Sequence, residues 1–396
     1  MSELSYMEKL LDGAEVEWKK LGDVATLQRG RVMSKGYLNE NPGKYPVYSS
    51  QTANNGKIGS IDTFDFEGEY VNWTTDGANA GTVFYRTGKF SITNVSGLIK
   101  INDTLNLNYK YLFYWLSTEA KKHVYAGMGN PKLMSNQVAK IPIAIPPIRV
   151  QNEIVRILDT FTELTAELTA ELTARQQQYA YYRDECFNFN DNEVEWETLG
   201  VVSKIQRGAS PRPIAKYVTD DKSGVPWIKI GDTRLGSKFV DNTAQRITFE
   251  GAEKSRVLKK GSFIMSNSMS YGRPYILGIE GAIHDGWASI SDFEANLNPD
   301  FLYHYLSSGN VKKYWESKIN SSSVSNLNSD IIKALPVPIP PIDEQERIAS
   351  ILDKFDTLTT SLTEGLPREI ELRQQQYEYY RDLLLSFPKP EVVAHD

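Results

Sequence analysis

The stretch IPIAIPPIRVQNEIVRILDTFTELTAELT occupies residues 141–169, and LPVPIPPIDEQERIASILDKFDTLTTSLT occupies residues 335–363 of the same chain. Fifteen of the 29 aligned positions are identical. Each stretch runs through a Pro-Pro pair into apolar residues at three- or four-residue steps, the period of an amphipathic helix. Because proline suits the first turn of a helix and disfavours helix before itself, each pair predicts a helix N-terminus.

Two more pairs of matching blocks flank these stretches. EVEWKKLGDVATLQRG (15–30) returns as EVEWETLGVVSKIQRG (193–208), with ten of 16 positions identical. RQQQYAYYRD (175–184) returns as RQQQYEYYRD (373–382), with nine of ten identical. The chain is therefore two copies of a unit of roughly 190 residues. Between the blocks the copies barely match, which indicates one task performed on two different targets.

The repeats predict an α+β protein, with two pseudo-symmetric α+β domains separated by two long antiparallel helices that form a coiled coil. Short strands are expected near residues 70–73, 81–85 and 98–101, and near 263–265, 274–277 and 288–290 in the second copy. The predicted bounds are 1–147 and 191–341 for the domains, and 148–190 and 342–396 for the helical spacers. Gly365-Leu366-Pro367 should break or kink the second helix. The alternative is that each helix packs only on its own domain.

Composition restricts the class of protein. The chain has 396 residues, 40% hydrophobic and 24% charged, which is typical of globular domains. No apolar run approaches the roughly 20 residues that span a bilayer, and no signal peptide is expected. A single cysteine, Cys186, cannot form an internal disulfide, so a cytoplasmic location is expected. The net charge of −6 comes from the two helical segments, while both α+β domains are slightly basic.

Sequence motifs for catalysis are missing. The chain has no GxGxxG, no GxxxxGK[ST] and no Asn/Asp-Pro-Pro-Tyr/Phe motif of adenine methyltransferases. Its four histidines stand apart from one another and from Cys186, so no metal site is predicted. We therefore predict no catalytic and no metal-ligating residue, although scattered carboxylates could still form a site that no motif reveals.

Basic and polar loops recur at similar places in both copies. Arg and Lys can bind phosphates, while Arg, Asn, Gln and Ser can read base edges in the major groove. A basic cluster is also often only a solvated surface. The DNA-binding candidates are Arg29, Arg31, Lys35, Lys57, Trp73, Thr74, Thr75, Asn79, Asn130 and Lys132 in the first copy, and Arg207, Arg212, Lys216, Ser266, Asn267, Ser270, Tyr271, Arg273 and Asn320 in the second.

These blocks together resemble the specificity subunit of type I restriction–modification systems. The residues that carry the resemblance are EVEW-x2-LG-x5-RG, IPPI-x2-Q-x2-I-x2-ILD-x-F, the TAEL repeat at 165–172 and RQQQY-x-YYRD. The TAEL repeat and the C-terminal tail look closest to the IC subgroup.

The resemblance implies a non-catalytic subunit. Each α+β domain would be a target-recognition domain that reads one half of a bipartite, asymmetric DNA site. The helices would set the length of the unspecified spacer and dock two modification subunits, which bring S-adenosylmethionine and methylate adenine. Two restriction subunits, which use ATP and Mg²⁺ and cleave DNA, would join them, and this chain would hold no cofactor of its own.

Seventeen residues are candidates for the spacer helices and for docking. They are Pro147, Gln151, Ile154, Leu158, Phe161, Leu164, Leu168, Leu172, Tyr179, Pro341, Gln345, Ile348, Leu352, Phe355, Leu358, Leu362 and Tyr377. Two other functions remain open at this point. One is a coiled-coil adaptor with two ligand-binding domains and no DNA role, and the other is a fused enzyme with its own nuclease or methylase.

Overall fold

The computed structural model of the protein describes residues 6–388 except 126–128, 191–192, 235, 268–271, 321–326 and 362. The chain forms two compact units, Met1–Thr165 with Arg373–Asp396, and Ala166–Leu372. Each unit therefore combines one α+β domain with helical residues from both copies. The four bounds predicted above divide the chain differently, by repeat, and they remain a prediction.

The first unit is built on a six-stranded sheet of order β2-β7-β5-β6-β3-β4. Its neighbouring strands are antiparallel except for β6 and β3. The predicted strands correspond to β5, β6 and β7. The strands are β1 (Glu17–Lys20), β2 (Ala25–Arg29), β3 (Pro42–Tyr48), β4 (Lys57–Ile61), β5 (Phe66–Thr74), β6 (Val83–Ile92), β7 (Ser96–Ile101) and β8 (Pro142–Ile145).

The second unit carries two five-stranded sheets, β10-β19-β16-β17-β13 and β11-β14-β12-β18-β15. The order β10-β19-β16-β17 repeats the order β2-β7-β5-β6 of the first unit, as the matching sequence blocks predict. The strands are β9 (Glu195–Thr198), β10 (Lys204–Arg207), β11 (Val218–Thr219), β12 (Val225–Ile228), β13 (Phe239–Val240), β14 (Gln245–Ile247), β15 (Arg256–Leu258), β16 (Phe263–Ser266), β17 (Pro274–Leu277), β18 (Gly281–Ile283), β19 (Trp287–Ser291) and β20 (Pro336–Ile339).

The helices include one of 39 residues, Ile148–Cys186, called the central helix below. The α-helices are α1 (Tyr6–Leu11), α2 (Leu21–Val24), α3 (Lys35–Glu40), α4 (Tyr109–Glu119), α5 (Ser135–Val138), α6 (Ile148–Cys186), α7 (Leu199–Val202), α8 (Phe249–Glu253), α9 (Pro299–Leu306), α10 (Gly309–Asn320), α11 (Ser329–Lys333), α12 (Ile342–Thr360) and α13 (Leu366–Leu384). Short 3-10 turns lie at Ala53–Gly56, Ala120–His123, Ile214–Lys216 and Ile230–Asp232.

The helices begin where the Pro-Pro pairs predict, at Ile148 and Ile342. The predicted break is also present, because α12 ends at Thr360 and α13 begins at Leu366. Gly365 has a φ of +80°, and a Cβ there would lie 2.5 Å from the carbonyl oxygen of Thr357. A residue with a side chain would therefore be strained at this turn, which explains why the second copy has two shorter helices.

Antiparallel helix pairing occurs inside each unit. In the first unit Phe161 of the central helix stacks on Tyr380 of α13, with ring centroids 5.3 Å apart. In the second unit Tyr179 of the central helix stacks on Phe355 of α12 at 6.3 Å. The early part of the central helix thus meets the end of the C-terminal helices, and its late part meets their start.

Each helix is joined to its domain by an identical glutamine clamp. The Gln151 side chain accepts from Asn108 N at 2.9 Å and donates to the carbonyl oxygens of Asn106 and Pro146. Gln345 makes the same three bonds with Asn298 N and with the carbonyl oxygens of Asn296 and Pro340. Asn108 and Asn298 in turn cap the N-termini of α4 and α9. The clamp therefore fixes each helix start on the domain that precedes it.

Seven of the helix candidates lie on the helices as predicted but are wrong as docking contacts, because they are buried. Their side chains are at most 8% exposed and lie inside the unit, so another subunit could not reach them in this structure. The sequence repeat marks them because both copies need the same packing of helix on domain. These residues are Gln151, Ile154, Leu158, Tyr179, Gln345, Ile348 and Leu352.

The other helix candidates lie nearer the surface. Leu164 and Pro341 are exposed. Partly buried positions are Pro147, Phe161, Leu168, Leu172, Phe355, Leu358 and Tyr377. Leu362 lies outside the described residues. These positions therefore stay candidates for docking.

The C-terminal segment completes the core of the first unit. Leu384, Leu385 and Phe387 belong to the same apolar cluster as Met7 of α1, and Trp18 Nε1 donates to the carbonyl oxygen of Pro388 at 3.0 Å. In the second unit, Cys186, Phe187 and Phe189 take the corresponding place after the central helix. The two ends of the described chain thus lie in one core.

Candidate DNA interface

Four loops meet at one end of the first sheet, and we call this place the first junction (residues 29–31, 74–76, 93–96 and 131–133). Gly30 N donates to the Ser96 carbonyl, and Thr75 N donates to that of Val95, at 3.3 and 3.1 Å. Leu133 N donates to the Thr75 carbonyl at 2.9 Å. These backbone bonds join segments that are up to 100 residues apart in the sequence.

The second unit repeats this arrangement in its own loops, which we call the second junction (residues 207–209, 266–267, 284–287 and 327). Gly208 N donates to the Trp287 carbonyl, and Asn267 N donates to that of Gly286, at 2.8 and 3.0 Å. Leu327 N donates to the Asn267 carbonyl at 3.0 Å. Position by position, Thr75 is thus equivalent to Asn267, and Asn94 to Asp285.

The Arg-Gly pair that ends each copy of the first sequence block has a structural role in each junction. Arg29 Nε donates to the Asn94 carbonyl at 3.1 Å, and Arg207 Nε donates to the Asp285 carbonyl at the same distance. A Cβ on Gly30 would lie 2.1 Å from the Ile92 carbonyl oxygen, and one on Gly208 would lie 2.0 Å from that of His284. Only glycine allows this approach of the two backbones.

The two junctions differ in charge. In the second, Ser210 Oγ donates to the Asp285 carboxylate at 3.0 Å, with His284 Nδ1 at 3.0 Å and Arg212 Nη2 at 3.5 Å. Partial burial alone would raise the pKa of Asp285, but the Ser210 hydrogen bond and the surrounding cations outweigh it and lower that pKa. In the first junction the equivalent residue is the neutral Asn94, which is exposed. A common backbone frame therefore presents different side chains.

The structure brings several sequence candidates together at the junctions: Arg29, Arg31, Thr74, Thr75 and Lys132 in the first, and Arg207, Ser266 and Asn267 in the second, with Arg212 beside the second through Asp285. Others lie outside the junction loops. Arg31 also bonds to the Asp65 carboxylate at 3.0 Å and to the Tyr37 hydroxyl, and the Tyr37 hydrogen bond raises the pKa of Arg31. The candidates outside the junction loops are Lys35, Lys57, Asn79, Asn130, Lys216 and Arg273.

Four candidates are wrong as direct DNA contacts because their side chains are buried. Trp73 is 1% exposed, packs over Gly97 and donates to the Leu133 carbonyl at 3.0 Å. Thr74 and Thr75 are fully buried, and Ser266 is 4% exposed. These residues end the central strands β5 and β16, so the polar run in the sequence faces the interior. Ser270 and Tyr271 lie outside the described residues, as does the side chain of Asn320.

Sequence reasoning missed one buried cation, Arg86. Its guanidinium lies 3.6 Å from the centre of the Tyr48 ring and donates to the Asn55 carbonyl at 2.8 Å. Burial lowers the pKa of Arg86 to about 10, and the side chain is 2% exposed. An arginine within a strand gives no sequence signal that it supports the turn Ala53–Gly56 from inside.

Comparison with known proteins decides the family. The family described as type I restriction modification DNA specificity domain matches residues 14–175 and 193–372, one match for each copy. The chain belongs to this family. The two matches together cover most of the protein, with both α+β domains, the central helix as far as residue 175 and the C-terminal helices as far as residue 372.

Relatives of full length agree with this assignment. The chain is 35% identical to the specificity subunit of the type I restriction enzyme EcoR124I/EcoR124II of Escherichia coli, with 100% of both chains covered. It is 34% identical to a putative type I restriction enzyme specificity subunit of Haemophilus influenzae, covering 97% of this chain and 98% of the relative. The protein is therefore a DNA-recognition subunit of a type I restriction–modification system, and it is the non-catalytic subunit of such a complex. The adaptor alternative has no support.

Solved structures show the same fold. The S subunit of a type I restriction–modification system from M. genitalium superimposes with a TM-score of 0.57 at 16% identity, covering 96% of this chain and 98% of that one. A chain from a structural study of type I complex assembly gives a TM-score of 0.62 at 16% identity, covering 93% and 97%. Among the described residues, no helix is long and apolar enough to cross a membrane.

Proposed function

We propose that each recognition domain reads one half of a bipartite, asymmetric DNA site, through the surface around its junction. The observation that carries this proposal is the duplicated frame. Both junctions use the same backbone bonds, yet they present Asn94 in one copy and Asp285 in the other. An exposed amide and a carboxylate favour different base edges, because a carboxylate only accepts hydrogen bonds whereas an amide also donates.

In the same proposal, the helical segments set the length of the spacer between the half-sites and bind the modification subunits. The glutamine clamps attach each helix start to one domain, so a change in helix length would move that domain as a body. The exposed and partly buried helix positions, among them Leu164, Leu168 and Leu172, supply apolar surface for two modification subunits. Contiguous apolar surface of this kind is typical of sites that bind another protein, whereas single exposed apolar side chains are not.

The chemistry of the complex belongs to its partners in this proposal. Two modification subunits would bring S-adenosylmethionine and methylate adenine, and two restriction subunits would use ATP and Mg²⁺ and cleave DNA. This chain would hold no cofactor and would act in the cytoplasm. Its TAEL repeat and C-terminal tail favour the IC-like subgroup.

The experiment that tests the proposal is a map of modified adenines. The chain is expressed with its modification subunit in a host that lacks adenine methylation, and the host genome is sequenced for modified bases. We expect one split motif with a fixed gap. A contiguous motif would contradict reading in two halves, and no modification by a complex that assembles and binds S-adenosylmethionine would contradict DNA recognition itself. The modification subunit expressed alone is the control.

A further inference from the structure

We propose that Arg29 and Arg207 are positioning residues of the two junctions: each holds, through its Nε, the backbone of the turn that contacts DNA, and Arg29 does not read a base. This inference rests on the proposed function, and it deepens it by stating how the recognition surface is held. It replaces the expectation from the sequence that Arg29 contacts a base directly.

The first argument is that the donors of Arg29 are already in use. Nε and Nη2 both donate to the Asn94 carbonyl, and Nη2 also donates to Thr75 Oγ1 at 3.0 Å. Nη1 contacts Met134 Sδ at 3.8 Å. Arginine reads guanine with two parallel donors, and this guanidinium has no such pair left for a base.

The second argument is that the same contact occurs in the second unit with different surroundings. Arg207 Nε meets the Asp285 carbonyl at 3.1 Å, as Arg29 Nε meets that of Asn94. The turn residue differs between the copies, but the bond to its backbone does not. A residue that read bases would be expected to differ between domains with different half-sites, whereas a residue that holds a common frame would be the same in both.

The third argument is the place at which the arginine holds the turn. The backbone of Thr93–Ser96 is closed by its own bond from Ser96 N to the Thr93 carbonyl at 3.0 Å, and the arginine adds a bond to the exposed residue within it. The segment Thr93–Ser96 connects the end of β6 to the start of β7, and Asn94 is the exposed residue in it. The arginine holds this residue by its carbonyl, so the side chain stays free on the outside. Beneath this turn the side chains of Thr75 and Ser96 are fully buried.

The test compares variants of the complex with the modification subunit. Its DNA probes are duplexes that carry the split motif found for the unmodified protein, with single base changes in one half at a time. Arg29→Met removes the arginine bond to the turn of the first junction, and Arg207→Met removes the equivalent bond of the second. Each variant is therefore the control for the other. Arg29→Lys keeps the charge but replaces the planar guanidinium with a single ammonium group. Binding is measured at several salt concentrations. Each affinity is corrected for the fraction of active molecules, which is found by titration with the target duplex.

For Arg29→Met we expect discrimination to fall at least tenfold at several base pairs of one half-site and to be unchanged in the other. Arg207→Met should show the converse, and Arg29→Lys should lie between wild type and Arg29→Met. The dependence of affinity on salt should be unchanged, since no phosphate contact is lost.

Three results would overturn the proposal. Relaxation at a single base pair would make the arginine a base reader. Uniform weakening on all duplexes with a shallower salt dependence would make it a phosphate contact. A lower melting temperature or active fraction with unchanged discrimination would make its role purely structural. The proposed function fails separately, if the wild-type complex yields no split motif.

Discussion

The glutamine clamp gives a prediction whose size follows from the structure. Gln151→Ala removes three hydrogen bonds of 2.8 to 2.9 Å and leaves the amide of Asn108 and two carbonyl groups without their partner. Each lost bond costs about 1 kcal/mol, and an unpaired buried group costs more, so we expect a loss of about 3 kcal/mol or more. This is a large part of the 5–15 kcal/mol that stabilises a typical domain.

Hydrogen exchange measures this loss at the site itself. At about 1.4 kcal/mol for each tenfold change, 3 kcal/mol corresponds to roughly 100-fold faster exchange of the Asn108 amide. Amides of α4 and of the start of the central helix should follow, because Asn108 caps α4 and Gln151 lies in the first turn of that helix. Mass spectrometry of the complex with the modification subunit can resolve these segments.

Two variants control this experiment. Gln345→Ala should speed exchange at Asn298 and leave Asn108 unchanged, because its three bonds lie in the other unit. Gln374→Ala, on an exposed part of α13 where the side chain bonds to Glu378 at 3.0 Å, should change exchange by less than about threefold. The reasoning is refuted if Gln151→Ala changes exchange at Asn108 by less than tenfold, or if both units respond equally.

Three further changes have expected outcomes. Gly30→Ala should unfold the first junction and abolish reading of one half-site, because its Cβ would collide with the Ile92 carbonyl, whereas Gly231→Ala, in the other unit and with open space at its Cβ, should leave reading of that half-site unchanged in the same methylation assay. For Asp353→Asn we expect the melting temperature to fall less steeply as the pH is lowered. Burial raises the pKa of Asp353, but the contacts with His304 and Lys238 outweigh it and lower that pKa overall. The stabilisation by this carboxylate is therefore present above the unfolded pKa near 4 and is lost as the pH falls through the folded pKa. The exposed Asp343→Asn is the control in that melting series. Deleting Thr169–Leu172 shortens the helix by roughly 6 Å, so the gap in the methylated motif should shrink by about one base pair with both half-motifs kept.

The repeats and the proline pairs predicted most of the fold because their effects are visible within short stretches of sequence. Proline restricts the backbone next to it, and a helix or strand shows its period in the spacing of apolar residues. A Pro-Pro pair followed by an amphipathic pattern determines where a helix begins, and both helices begin at the next residue. The break before α13 was also predictable, since Gly365 and Pro367 oppose a continuous helix through their own backbone. The six predicted strands needed only alternating and β-branched residues between turns.

The site was less predictable because its contacts join distant segments. Arg29 bonds to a carbonyl 65 residues away, and nothing in the sequence shows that its side chain folds back onto that turn. The same holds for Gln151, which stands beside charged residues at the start of a surface helix yet is fully buried. Trp73 and Thr74 were misassigned for a related reason, since a polar run at the end of a central strand looks like a loop in the sequence.

Identity between the copies is itself informative about role. An asymmetric site read by two domains on one frame requires that the discriminating side chains differ at equivalent places. Residues that recur in both copies, such as Arg29 with Arg207 or Gln151 with Gln345, make equivalent internal bonds in both units. The search for base-reading residues should therefore start at positions where the two copies share the backbone bonds but differ in the side chain, as at Asn94 and Asp285. A substitution there changes the side chain that faces outward and leaves the backbone bonds of the junction in place.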